Sequence, residues 1–346
     1  MEVLQLLKNG LNMRLLSFYC LAFLFITGSS KAQTSYTKPD FAVQYVSYFG
    51  IGSESVQKAA VIGCNAASYA LMQQALPEWT DQGLGIPVYF YKNTLETCGA
   101  DKLIQKFLAD YKNLNEKQLG TRLLKIRETI MGASISKSLI NQLKNAIAEF
   151  YKGKKIRLSS SPNFQSTTGT FSITSSIEDL TPSIAQIYAS FWDLDAVKAR
   201  FSNKSLDPQK LALGILLTQG FEYGYAIGRV QTDYTRPKPS ILILSKRESS
   251  TERIGFSSFD SKWYQTYEKA KKAPVFVDNA ALTPTVRELQ KVANVLDPLL
   301  RRKISTSKAL SNKDYTVVFT FVIKKAEKGK FILKLQQPEL QLKKES

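Results

Sequence analysis

The sequence predicts an α+β fold in which helices lead and mixed or antiparallel strands follow. Three observations carry this. Residues 94–150 hold three stretches with apolar residues at three-to-four spacing: TLETCGADKLIQKFLADYKNL, QLGTRLLKIRETIMG and SKSLINQLKNAIAEFYK. From residue 154 the texture changes to short β-branched and aromatic runs, at 155–160, 169–176, 210–219, 223–231, 239–246, 315–325 and 330–337. Near the end, VIKKAEKGKFILKL sets Lys-Gly between two apolar runs, the pattern of a hairpin. Neighbouring strands joined by turns, with helices interspersed, favour α+β over a doubly wound parallel sheet.

The first element is an export signal. Lys8 and Arg14 precede LLSFYCLAFLFIT (15–27), an apolar run of thirteen residues, and GSSKAQ follows with Ser30 and Ala32 at the small positions before Gln33. The run is shorter than the ~20 residues a bilayer span needs. Residues 1–32 are therefore expected to be removed as a signal peptide, with Met13 a second candidate start. The mature protein is expected to be exported, periplasmic or secreted, and not membrane-spanning. Cys20 lies inside the apolar run and not at its end, which argues against a lipid anchor. Residues 33–55 form a linker, and 56–343 a single domain.

Within that domain VQKAAVIGCNAASYALMQQAL (56–76) is helix-prone after Gly63, and GIPVYFYKN (85–93) has the composition of a buried strand. Ser136 is placed to cap the helix that begins SKSL. Further helices are expected at about 182–203 and 284–303. EYGYAIG (222–228) alternates at period two, as a packed strand does.

Composition narrows the chemistry. The chain has 346 residues, 47 Lys and Arg against 29 Asp and Glu, and no histidine. Without histidine, Ser-His-Asp and Cys-His catalysis, histidine metal sites and a phosphohistidine carrier are excluded within this chain. The net charge of +18 falls to +16 once residues 1–32 are gone, and RRK (301–303) and KKAEKGK (324–330) concentrate it. For an exported protein such a surface suits an anionic polymer, a glycan or a membrane surface; nucleic acid is not expected. Cys64 and Cys98 remain after processing, and an oxidising compartment permits them to pair.

KKIRLSSSPNFQSTTGTFSI (154–173) has the layout of a phosphate-binding loop, strand then small-residue turn then strand, yet no charge follows Arg157 until Glu178. This segment and three others resemble the N-terminal, ATP-grasp nucleotide-binding domain of phosphoenolpyruvate synthase and pyruvate, phosphate dikinase. IGCNAASYALMQQ (62–74) is similar to the family's glycine-glycine-lysine-alanine-asparagine-leucine segment. GLGIPVYFYKNTLETCG (83–99) is similar to its strand and helix beginning at isoleucine-proline. IRLSSSPN (156–163) resembles its arginine-serine loop, and DYTVVFTFVIKKAEKGKFILKLQQPEL (314–340) its closing hairpin. IYASFWDLDAVKAR (187–200) matches an intervening helix, so the resemblance runs from about 56 to 340.

That resemblance implies an ATP-grasp-like, two-lobed fold, with a mainly helical lobe at 56–153 and a strand-rich lobe at 154–340. In the family, ATP and Mg²⁺ bind between the lobes and a phosphoryl group passes to a histidine on a separate domain. The resemblance also identifies what this chain has replaced. Asn65 stands at the family's phosphate-reaching lysine, and Ser159 at the loop arginine, unless a shift of two residues puts Arg157 there. Ser160 and Ser161 are retained, with Asn163 two residues on. Gln165 and Ser166 replace an acidic pair, Thr320 the metal-binding glutamate, and Leu335 and Gln337 a glutamine and an arginine. Polyphosphate transfer depends on cations and Mg²⁺ around the oxygens, so these positions imply a degenerate nucleotide site with no catalytic residue, no metal and no cofactor. The alternatives are an active phosphotransferase with ATP and Mg²⁺ held by altered ligands, among Glu178, Asp179, Asp193, Asp195 and Arg200, and a basic glycan- or surface-binding protein using residues 301–330.

Overall fold

Helices dominate the first part of the chain, and local signals set their ends. The computed structural model describes residues 37–49, 59–152, 154–164, 171–202 and 207–220, positions 291, 292, 294, 295 and 298, and strand segments between 226 and 342. The expected signal peptide, Gln165, Ser166, the RRK cluster and most of the expected helix at 284–303 lie outside the described residues. After strand β1 (Ser47–Tyr48) and a short α1 (Ala59–Ile62), the helix expected after Gly63 is α2 (Cys64–Ala75), with Gly63 at its N-cap.

The strand expected at 85–93 is a correction. Only β2 (Leu84–Ile86) is extended, and α3 (Val88–Cys98) starts directly after Pro87. Proline has no N–H to continue a ladder, and its fixed φ suits a helix entrance. Val88, Tyr91 and Leu95 then fall on one buried helical face, so an apolar run of strand-like composition is wound by its neighbour. Gly99, at φ 77°, ends α3 and opens α4 (Ala100–Asp110).

Asn115 starts α5 (Glu116–Met131) with a capping box. Its side chain accepts from the Gln118 N–H at 2.9 Å, and the Gln118 side chain accepts from the Asn115 N–H at 3.1 Å. Ser136 does occupy the N-cap of α6 (Lys137–Phe150), but its side chain makes no capping bond. Leu139, Leu143, Ala146 and Ile147 form the buried stripe of α6. Beyond β3 (Ile156–Pro162) and β4 (Ser172–Ser175), the single helix expected at 182–203 divides into α7 (Leu180–Ser190) and α8 (Leu194–Ser202), and β5 (Leu213–Gln219) follows.

These elements make one layered body. Its sheet runs β1-β2-β5-β3-β4, antiparallel at every pairing. Leu213 to Thr218 are buried without a break, so the central strand β5 is covered on both faces. A single apolar core joins Phe90 of α3, Phe107 of α4, Leu123 of α5 and Leu143 of α6 to Leu158 of β3 and Leu217 of β5. Tyr151 ties helix layer to sheet, its phenol donating to the Gln82 carbonyl at 2.6 Å.

A second antiparallel sheet follows. Strands β6 (Ala226–Asp233), β7 (Ser240–Arg247), β8 (Ser250–Ser257), β9 (Lys262–Tyr267) and β10 (Val275–Phe276) form a meander. The hairpin β11 (Tyr315–Lys325) and β12 (Phe331–Leu342) returns against β6, giving the order β10-β9-β8-β7-β6-β11-β12. The α+β class is thus observed. Helices α3 to α6 share their core with β3 and β5, and the chain changes sheets between β5 and β6, so β3 and the closing hairpin lie in different sheets. Residues Thr34–Ser346 cluster as one compact unit. Strand β12 meets the first body at the segment after α2: the Leu335 N–H donates to the Trp79 carbonyl at 2.8 Å, and Lys334 Nζ lies 3.2 Å from Asp81 Oδ1.

Candidate functional site

The sequence-selected residues converge on the place where α2 begins and β3 ends. Gly63 occupies the N-cap position of α2 with φ 81° and ψ 168°, a conformation open essentially to glycine alone. Having no side chain, Gly63 cannot cap the helix, and β3 supplies the cap instead. Ser161 Oγ accepts from the Ala66 N–H at 2.9 Å, at the third position of the helix. One residue earlier, Asn65 Nδ2 donates to the Ser160 carbonyl at 2.9 Å. A Cβ built on Gly63 would sit 1.7 Å from the Ser161 carbonyl oxygen, so the two backbones are in direct contact. Ser161 is fully buried, and Asn65, Ser159 and Ser160 are buried with it.

Each remaining polar group of β3 is used locally. The Ser160 N–H donates to the Phe171 carbonyl at 2.8 Å, and its hydroxyl accepts from the Phe171 N–H at 3.0 Å. Ser159 Oγ lies 2.8 Å from Ser172 Oγ, and Arg157 reaches that hydroxyl at 3.3 Å. Arg157 therefore reaches over β4 to the same Ser172 hydroxyl that Ser159 meets.

Asn163 joins three segments. Its Oδ1 accepts from the Ala212 N–H at 2.9 Å, and its Nδ2 donates to the carbonyls of Thr37 at 2.8 Å and Lys210 at 3.1 Å. Its own backbone bonds Thr37 and Ala212 in addition. With the side chain wholly buried, Asn163→Ala strands the Ala212 N–H and is expected to cost about 2–4 kcal/mol. Asn163→Asp is expected to cost at least as much, because a carboxylate cannot donate to two carbonyls. Urea unfolding of both variants checks this; an Asp variant as stable as wild type contradicts the assigned bonding.

The hairpin positions lie on the second sheet. Thr320 pairs directly with Gln337 across β11 and β12, beside an irregularity between Thr320 and Phe321. Leu335 is buried against Trp79 and Thr80. Helix α2 packs on β12 as well as on β3, so the elements carrying Asn65, Ser159–Ser161 and Gln337 meet around one helix. Cys64 and Cys98 are not joined by a disulfide: Cys64 is buried at the start of α2 and Cys98 lies at the end of α3.

Of the charged residues of the active alternative, Asp179, Asp193 and Arg200 have local partners. Asp179 accepts from Ser176 Oγ at 2.8 Å at the entrance to α7, Asp193 pairs with Arg127 at 2.8 Å, and Asp195 lies in the first turn of α8. Glu178 is exposed. Arg200 is buried over the Phe191 ring, 4.0 Å from its centroid, and donates to the Phe191 carbonyl. Burial pushes its guanidinium down to about 10, against the opposing pull of Tyr91 and Asp193. Around it the Trp192 indole donates to Tyr91 at 2.8 Å, and Tyr91 packs edge-on to Tyr188. Sequence reasoning had no signal for this aromatic cluster, whose members lie a hundred residues apart. Among the described residues no group of three or more Cys, Asp or Glu is placed to hold a metal, and no helix is long and apolar enough to cross a membrane.

No family model and no curated protein matches the chain. Among solved structures, the crystal structure of PH1788 from Pyrococcus horikoshii Ot3 is similar over 71% of this chain and 98% of that one. Its sequence identity is 10% and the TM-score 0.23, a likeness too slight to carry an argument.

Proposed function

We propose that this chain is an exported, non-catalytic binding module on an ATP-grasp-like scaffold, related to the nucleotide-binding domain of phosphoenolpyruvate synthase and pyruvate, phosphate dikinase. The observation that carries the reading is the junction of Gly63 with Ser161. A polyphosphate site at a helix entrance needs free N–H groups and a cation that reaches the oxygens. Here the Ala66 N–H is taken by Ser161, and the residue at the lysine position, Asn65, is neutral and bonded to Ser160. The contact of Gly63 with the Ser161 backbone leaves no gap for a phosphate between helix and strand.

Turnover tests the proposal. With ATP and Mg²⁺ in excess, the purified protein is expected to release no phosphate above the buffer rate and to pass no label to a supplied histidine domain. Multiple turnovers would establish the active phosphotransferase in its place.

A further inference from the structure

Two large apolar side chains that stay exposed among the described residues, Tyr48 and Phe150, meet at the end of helix α6, and Tyr45 is exposed three residues before Tyr48. Tyr45 is 62%, Tyr48 42% and Phe150 37% exposed. The Tyr48 and Phe150 rings are in contact, 5.5 Å apart at 55°. The Val46 N–H donates to Gln142 Oε1 at 2.8 Å, which holds the 45–48 segment along α6, and β1 is the edge of its sheet.

Next to Phe150 the chain turns through Lys152, at φ 45° the one non-glycine residue with a positive φ among those described. The N–H groups of Tyr151 and Lys152 both reach the Ile147 carbonyl, at 2.9 and 3.2 Å. This left-handed turn presents Lys152, Lys154 and Lys155, all exposed, and none forms an ion pair among the described residues. Glu149 is the exposed acidic residue beside Phe150.

We propose that this face docks on an anionic lipid surface. Tyrosine and phenylalanine suit the headgroup boundary, where one part of a ring is apolar and its surroundings are wet. Lysines beside them pair with headgroup phosphates through long stems that reach around the rings. Two rings inclined at 55° form a wedge, not the coplanar platform on which sugars or bases stack. Lys155 precedes β3 whereas Ser161 lies near its far end, so the inference holds whether or not the α2–β3 junction binds nucleotide.

Vesicle flotation tests it with the chain from Gln33 onward, which contains the whole compact unit Thr34–Ser346 and leaves out the apolar run at 15–27. Binding is expected to vesicles of equal phosphatidylcholine and phosphatidylglycerol, weakening with salt, and not to phosphatidylcholine alone. Changing Lys152, Lys154 and Lys155 together to Gln is expected to lower partitioning on the order of 100-fold. Tyr48→Ser with Phe150→Ser is expected to lower it on the order of 10-fold. A control removing the same charge elsewhere, at the exposed Lys102, Lys106 and Lys125, is expected to keep most of the binding. Equal losses in the two lysine triples would overturn the proposal, leaving only net charge. So would absence of vesicle binding, including the case where the protein binds dextran sulfate instead.

Discussion

Gly63→Ala is expected to lose the native fold or to melt at least about 10 °C below wild type. The added Cβ would meet the Ser161 carbonyl oxygen at 1.7 Å, its carbon at 2.5 Å and its hydroxyl oxygen at 2.5 Å. Two of those atoms are backbone of β3, which at Ser161 is paired with Gly214 of β5, so no rotamer change relieves the clash. The φ of 81° adds a conformational cost of about 1–3 kcal/mol for any L-residue. Together these exceed about 4 kcal/mol, a large part of a domain's whole stability. Gly120→Ala is the internal control. It lies within α5 with nothing inside 4 Å of a built Cβ, and alanine there is expected to stabilise by about 0.5–1 kcal/mol. Thermal melts of the two variants should therefore move in opposite directions.

Above pH 10 the protein is expected to unfold steeply. Burial pushes the phenols of Tyr69, Tyr91, Tyr151 and Tyr188 well above their ordinary range, and Asp81 adds to the effect at Tyr69 and Tyr151. In the unfolded chain they ionise at about pH 10. The unfolded state then binds fewer protons than the folded one, so stability falls as pH rises. Arg200 works the other way. Its folded guanidinium releases a proton at about 10, while the unfolded chain retains it, so its contribution grows with pH. Four falling contributions against one rising leave a net slope of about 4 kcal/mol per pH unit. Urea midpoints measured from pH 9 to 11 check this, with tyrosinate absorbance rising in step with unfolding. A midpoint flat through pH 11 would contradict the burial of these four phenols.

Periodic helices and apolar strands were legible in the sequence because their signals are local. The helices at 116–131 and 137–150 and strands β3, β5 and β11 lie where the spacing puts them. Helix α3 was hidden because Val88, Tyr89, Phe90 and Tyr91 are strand-forming types whose helical face shows only once Pro87 is recognised as an entrance. Strands β8 and β9 were missed because STERIGFS and KWYQTY mix charges, hydroxyls and aromatics without an apolar run. The division into two sheets was not legible at all. It depends on β6 choosing β11 and β7 over β5, a long-range pairing with no local mark.

The site divides in the same way. Asn65 and Ser160 were singled out from segments 95 residues apart, and the fold does bring them into contact. What the sequence could not supply was the direction of their bonds. Serines and asparagines that could line a cleft are instead turned into the body, where Ser161 caps a helix and Asn163 ties three segments.

Titration calorimetry with ATP and Mg²⁺ tests the central claim, that the α2–β3 junction is closed to nucleotide. Each charge-assisted hydrogen bond absent from the polyphosphate site removes about 1.5–3 kcal/mol of ligand stabilisation. Losing three of them carries a micromolar site past about 1 mM. The expected result for the chain from Gln33 onward is no saturable heat at ATP·Mg²⁺ concentrations up to about 1 mM. A saturable isotherm with a Kd of tens of micromolar or tighter, abolished by Ser161→Leu in a folded variant, would contradict the account and place a working nucleotide site at the entrance of α2.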